Sequence, residues 1–234
     1  DDSIKTLIIP LNLIKKFVEI SDPYIQICAI LYGKPAEDNE SIIEIHSFVL
    51  PPQAGKYDQL DFFHSLPSNQ LLDGLQPIAW IHTSVISETL MTPTDAICTC
   101  SLIEANPEKI EKFQFSTIVV SYPPGSCTIR GFQLNASGLE WGITNKDTKD
   151  RPVGFEDSFF EKIPIVLTEA YNGWFMTPVD IPWNLNFQAL KLADHPTYEI
   201  ELGHPLPFFD QSYRQNHFLK FVEDLTKQDN MPID

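Results

Sequence analysis

His82 and Asp95 have the residue types, and nearly the spacing, of a hydrolytic zinc site with one ligand missing. They lie in the stretch "WIHTSVISETLMTPTDAI", Trp80–Ile97. A zinc ion that activates water is held by three protein ligands and keeps one position open. It also needs a general base for the water's proton, commonly a glutamate. His82 falls at the end of an expected strand and Asp95 in the first turn of the next expected helix, so the two can converge. A third ligand belongs at position 84, because the two-residue period of a strand returns that side chain to the face of His82. Position 84 is serine, a poor zinc ligand. Ser84 as a nucleophile lacks support, since no Asp or Glu is placed to orient His82. Both remaining candidates have plainer roles: His82 as a hydrogen-bonded histidine, and Asp95 as a carboxylate favoured near a helix N-terminus.

The elements that must position these residues are read from periodicity and punctuation. Leu75–Thr83 is a buried strand. Thr92 is placed to cap a helix with Pro93 in its first turn, running to Ala105 and stopping before Asn106-Pro107. Upstream, Pro10–Ser21 is an amphipathic helix with Leu13, Ile14, Phe17 and Ile20 on one face. Ile25–Gly33 and Ile42–Leu50 are strands that suggest a hairpin, joined by the acidic loop "KPAEDNE". The stretch "PPQAGKYDQLDFFHSLPSNQ" is a long irregular connection. Downstream, "FSTIVVSYPP" and "CTIRGFQLN" are strands joined by the turn Pro123–Ser126. After Trp141 comes a polar linker, then a helix over Phe155–Thr168 interrupted by Pro164. Trp174–Phe187 is extended, "HPTYEIEL" is a short strand, and a short helix and an acidic tail close the sequence. This alternation predicts an α/β fold, a central sheet with helices against it.

Bulk composition narrows the function. The 234 residues, 43% hydrophobic, suffice for one core with additions. Sixteen basic against 32 acidic residues give a net charge of −16. Such a surface repels phosphate backbones and suits a basic protein partner or simple solubility. Cys28, Cys98, Cys100 and Cys127 form no CxxC pair, which points to a reducing compartment. No apolar run is long enough to cross a bilayer, so no membrane partner is expected. Asn39-Glu-Ser and Asn135-Ala-Ser match the glycosylation triplet by chance. The sequence opens on Asp1-Asp2-Ser3 with no initiator Met and reads as a fragment of a longer chain.

With these residues in view, Trp80–Asp95 resembles the JAMM motif of MPN-domain metalloproteases: His-x-His, seven residues, then Ser-x-x-Asp. His82 matches the first His, Ser84 replaces the second, Thr92 stands for the Ser and Asp95 matches the Asp. Gln26, in "QICAILYG", occupies the position of the catalytic Glu. A wider resemblance runs from Leu7 to Phe221, through "ILYG", "AWIHT", "PGSCT", "GLEWG", "FMTPVDIPWNLNF" and "YRQNHFLKF". These pieces are similar to the C-terminal MPN-like domains of the spliceosome's large scaffold family, which are themselves pseudoproteases. The resemblance implies a JAMM-type, cytidine-deaminase-like α/β fold: a curved, partly closed mixed sheet flanked by helices, with a C-terminal extension. It implies an MPN-like core over 1–140, an extension over 141–221 and an acidic flexible tail over 222–234. It implies no catalysis, no metal and no cofactor. The expected partners are the spliceosomal DExH-box RNA helicase and other small nuclear ribonucleoprotein components in the nucleus, with RNA contacted mainly through the parent protein. Tyr213, Arg214, His217 and Phe218 are the expected anchor, and the tail beginning Glu223, Asp224 the expected plug of the helicase's RNA channel. A zinc isopeptidase of the JAMM type and a ubiquitin-binding MPN scaffold are the alternatives.

Overall fold

The computed structural model describes residues 5–21, 25–57, 59–84, 90–121, 128–148, 152–179, 183 and 196–200. The first element of the described residues is a strand, β1 (Thr6–Pro10), not a helix. Helix α1 (Leu11–Glu19) follows, and Pro10 is its extended N-cap, not its first helical residue. The fixed φ of proline suits both the end of a strand and the entry to a helix. Leu13, Ile14 and Phe17 are the buried face of α1, as their spacing predicts.

Strands β2 (Cys28–Ala36) and β3 (Asn39–Val49) pair antiparallel. The expected acidic loop shrinks to a turn at Glu37 and Asp38, because both strands run on into solvent, where polar side chains cost nothing. The expected irregular connection contains a small hairpin, β4 (Gln53–Gly55) with β5 (Leu60–Phe62), and a 3-10 turn at Gln70–Leu72. Strand β6 (Gln76–Ser84) and helix α2 (Pro93–Ala105) lie where their signals place them. Strands β7 (Ser116–Ser121) and β8 (Thr128–Leu134) form the next antiparallel pair. The turn expected at 123–126 lies outside the described residues.

Helix α3 (Ala136–Asn145) corrects the reading of a linker beginning at Gly142. Asn135 Oδ1 caps it by accepting from Gly138 N at 3.0 Å. Gly142 is needed for packing: a Cβ there would run into Cys100 Sγ of α2. The helix expected over Phe155–Thr168 is instead a 3-10 turn and two strands, β9 (Phe160–Ile163) and β10 (Ile165–Thr168). Pro164 is the corner between them. Strand β9 pairs with β8, while β10 pairs with β1 in parallel, so one corner carries the chain from one end of the sheet to the other. Gly131 of β8 permits this bend, since a Cβ there would lie 2.6 Å from Ile163 Cγ1. Strand β11 (Trp174–Pro178) lies beside the second half of β3 and pairs with β12 (Tyr198–Ile200).

The sheet order is β10-β1-β3-β2-β6-β7-β8-β9. The architecture is mixed α/β, with a curved, nearly barrel-like mixed sheet and few helices. Alternation along the strands divides the core in two. Leu7, Ala29, Leu31, Ile81, Ile118 and Ile165 pack with α1. Cys28, Ile30, Trp80, Val119 and Phe132 pack with α2 and α3. Residues after 141 thus add strands to the same sheet. No helix of the described residues is long and apolar enough to cross a membrane.

Candidate functional site

Trp80, His82 and Ser84 share the face of β6 that α2 covers, as a period of two requires. Trp80 fixes strand to helix: its Nε1 donates to Thr99 Oγ1 of α2 at 2.9 Å and to Thr117 Oγ1 of β7 at 3.1 Å. Thr99 Oγ1 in turn donates to Asp95 O at 2.7 Å. The His82 ring stacks on Trp80, with centroids 4.8 Å apart and planes 21° apart. Phe62 stacks on the indole too and extends the column toward His64.

Thr92 and Asp95 form a reciprocal capping box. Thr92 Oγ1 accepts from Asp95 N at 3.0 Å, and Asp95 Oδ2 faces Thr92 N at 3.5 Å. The other oxygen, Asp95 Oδ1, lies 2.8 Å from His82 Nε2. Sequence reasoning placed no acid to orient His82; this contact overturns that reading. Period and capping signals were both legible, but their convergence depends on how α2 crosses β6. His82 Nδ1 sits 3.0 Å from Thr83 O. Both ring nitrogens therefore lie close to an oxygen, and the tautomer sets which of them donates. His82 and Asp95 are each less than a twentieth exposed.

Gln26 comes to the level of Ser84. The register pairs Cys28 with His82, and Thr83 N donates to Ile27 O at 3.0 Å, which carries that register one residue on. Its amide Nε2 donates to Tyr57 O at 3.2 Å. The position expected for a general base thus holds an amide bound to the β4–β5 turn.

Sequence reasoning missed Gln53. It is fully buried, accepts from Cys28 N at 2.8 Å and donates to Cys28 O at 2.9 Å and to Pro51 O at 2.9 Å. One side chain thereby takes the place of a neighbouring strand at the residue directly across from His82. A lone Gln in "PPQAG" carries no sequence signal for this. Cys28 and Cys98 remain thiols. Burial, then the neighbouring Cys98, pushes Cys28 well above its ordinary value; burial, then Asp95, does the same to Cys98. Neither is a thiolate ready for a metal.

The donor set does not fit a catalytic zinc. One imidazole, one carboxylate and a hydroxyl at position 84 fall short of three good ligands. Among the described residues no group of three His, Cys, Asp or Glu is arranged to hold an ion. Of the aromatic block, Phe175 and Trp183 are core and Trp174 is partly buried against it; Phe187 lies outside the described residues. The expected anchor and tail residues Tyr213, Arg214, His217, Phe218, Glu223 and Asp224 also lie outside them. A family model described as the PROCT (NUC072) domain matches residues 116–234.

Proposed function

Since this chain belongs to the PROCT (NUC072) domain family, we propose that it is a non-catalytic protein-interaction module, the C-terminal domain of a large splicing scaffold. Its fold is read as a Jab/MPN-like pseudoenzyme in the nucleus. Its partner is the spliceosomal DExH-box RNA helicase, alongside other small nuclear ribonucleoprotein components, and it regulates that helicase during pre-mRNA splicing. The observation that carries the reading is the remodelled site. Asp95 is spent on the α2 cap and on His82, Ser84 stands in a ligand position, and Gln26 replaces the base. Loss of acid–base catalysis alone costs a factor of about 10²–10⁴. What remains is a buried strand–helix junction in an acidic chain.

Charge supports the choice of partner. A channel made for phosphate is basic, and an acidic peptide imitates the nucleic-acid backbone there. From Glu223 on, the tail holds Glu223, Asp224, Asp229 and Asp234 against Lys227, so its side chains sum to −4 + 1 = −3. Tyr213, Arg214, His217 and Phe218 have the composition of an interface anchor.

The test measures RNA binding and ATP use by the cognate helicase with the full chain or with residues 1–222. The full chain should inhibit RNA binding, and the effect should fade with salt. Equal inhibition by both forms assigns regulation to the folded part, and no binding by either refutes the reading. Cleavage of ubiquitin chains that is lost on His82→Ala would establish the isopeptidase instead.

A further inference from the structure

Of the chain's ten glycines, one follows an aspartate and one an asparagine: Asp73-Gly74 and Asn172-Gly173. In such pairs the glycine N can attack the preceding side-chain carbonyl carbon and close a succinimide ring, because glycine has no Cβ to hinder the approach. The asparagine pair is ordinarily the faster. A neutral amide is open to attack at neutral pH, whereas a carboxylate must first take a proton.

The two pairs sit in opposite surroundings. Asn172 is exposed, but Gly173 is clamped by Asn12 of α1. Asn12 Oδ1 accepts from Gly173 N at 3.0 Å, and Asn12 Nδ2 donates to Gly173 O at 3.0 Å. Gly173 is also wedged: a Cβ there would lie 2.4 Å from Leu13 Cδ1 and 2.8 Å from His46 O. The would-be nucleophile is thus bound and its backbone packed. Leu72–Leu75, by contrast, is a type II turn closed by Leu75 N donating to Leu72 O at 3.0 Å. Asp73 has φ −60° and ψ 134°, and Gly74 has φ +82°. Both residues are exposed, and nothing lies within 4 Å of where a Gly74 Cβ would stand. Ring closure requires the peptide plane between them to rotate. Among the described residues no hydrogen bond holds that plane, at Asp73 O or at Gly74 N.

We propose that the fold reverses the ordinary order, shielding Asn172 and making Asp73 a site of spontaneous isomerisation to isoaspartate. Gly74 N bonds to Cγ of protonated Asp73; the Cγ–OH bond breaks, and the hydroxyl leaves as water with the amide proton. Water then reopens the ring. Attack at Cγ restores aspartate, and attack at the main-chain carbonyl carbon leaves the peptide bond running through Cβ. One water is released and one consumed, so no co-reactant is needed. The product lengthens the main chain by one carbon at the entry to β6, the strand that carries His82. The inference is independent of the helicase reading.

The test incubates the full chain, folded or unfolded in guanidinium chloride, at neutral pH in heavy-oxygen water, followed by peptide mapping. Each ring opening leaves a heavy oxygen in the peptide, and electron-transfer fragmentation tells isoaspartate from aspartate. In the folded chain the Asp73 peptide should gain label and isoaspartate ahead of the Asn172 peptide; in the unfolded chain the order should invert. Asp73→Glu keeps the charge at an exposed position and should abolish the signal there, because its ring would be six-membered. Asn12→Ala should speed the loss of Asn172 about two- to tenfold, the worth of one hydrogen bond. Asn12→Asp keeps the acceptor for Gly173 N and should leave Asn172 shielded. Asn172 reacting first in the folded chain, the same order in both states, or equal rates at Asn172 in the two Asn12 variants would each overturn the proposal.

Discussion

Asp95→Ala removes two structural contacts at once. Asp95 is 3% exposed and supports the α2 capping box with Thr92. It also meets His82 Nε2 at 2.8 Å. Losing a helix cap costs about 1 kcal/mol. Leaving a buried hydrogen-bonding group without its partner costs about 1–3 kcal/mol. Together the loss is about 2–4 kcal/mol. A chain of this size loses about 2–4 °C in Tm per kcal/mol, so a central value of about 3 kcal/mol lowers Tm by about 6–12 °C. Asp95→Asn keeps one acceptor oxygen and should lose less. The decisive measurement is a double-mutant cycle with His82→Ala by urea denaturation. Neighbours that share a contact couple by about 0.5–3 kcal/mol, whereas independent sites add to within about 0.5 kcal/mol. Strict additivity, or a Tm of Asp95→Ala within 2 °C of the parent, would refute the role given to this pair.

Gln53→Ala should cost about 2–4 kcal/mol in urea, because it strands both backbone groups of Cys28 at a fully buried position. Gly142→Ala should destabilise by about 1–3 kcal/mol, because the new methyl meets Cys100 Sγ and forces α3 away from α2. His64 is held below the ordinary histidine value by burial, against an opposing pull from Asp61. Below about pH 6.5 the unfolded chain therefore binds more protons than the folded one. The stability tied to a neutral His64 is present above that pH and lost as pH falls, so His64→Gln should flatten the decline of Tm between pH 7 and 5.

Local signals read truly wherever the physics was local. Thr92, Pro93 and Asp95 declare the start of α2 through groups within four residues, and the structure shows the capping box complete. The alternation of β6 likewise put Trp80, His82 and Ser84 on one face. Errors arose where a partner distant in sequence decides. "SFFEKIPIVLT" carries spacings compatible with a helix, but it pairs with β8 on one side of Pro164 and with β1 on the other. Five residues of β1 were hidden beside the strong amphipathic signal of α1; their pairing with β3 and β10 is not written within them. At the site, the residue types were legible. The convergence of His82 and Asp95 was read too, but their direct contact and the Gln53 clasp were not, because both depend on crossing and rotamer.

The parallel seam between β1 and β10 has a consequence for the newborn chain. Pro10 leaves the ribosome 155 residues before Ile165 (165 − 10). At about 5–20 residues per second, β1 waits roughly 8–30 s for the strand that covers its outer edge. Over that interval a short hydrophobic edge, Leu7 to Ile9, stands open to any passing strand. The hairpin of β2 and β3 can form early, whereas the β1–β10 seam must wait for Ile165 and the residues after it. The second half of the chain, made alone, would have β10 without β1 and β7 without β6. The stretch that the family model matches is therefore not a unit of folding by itself.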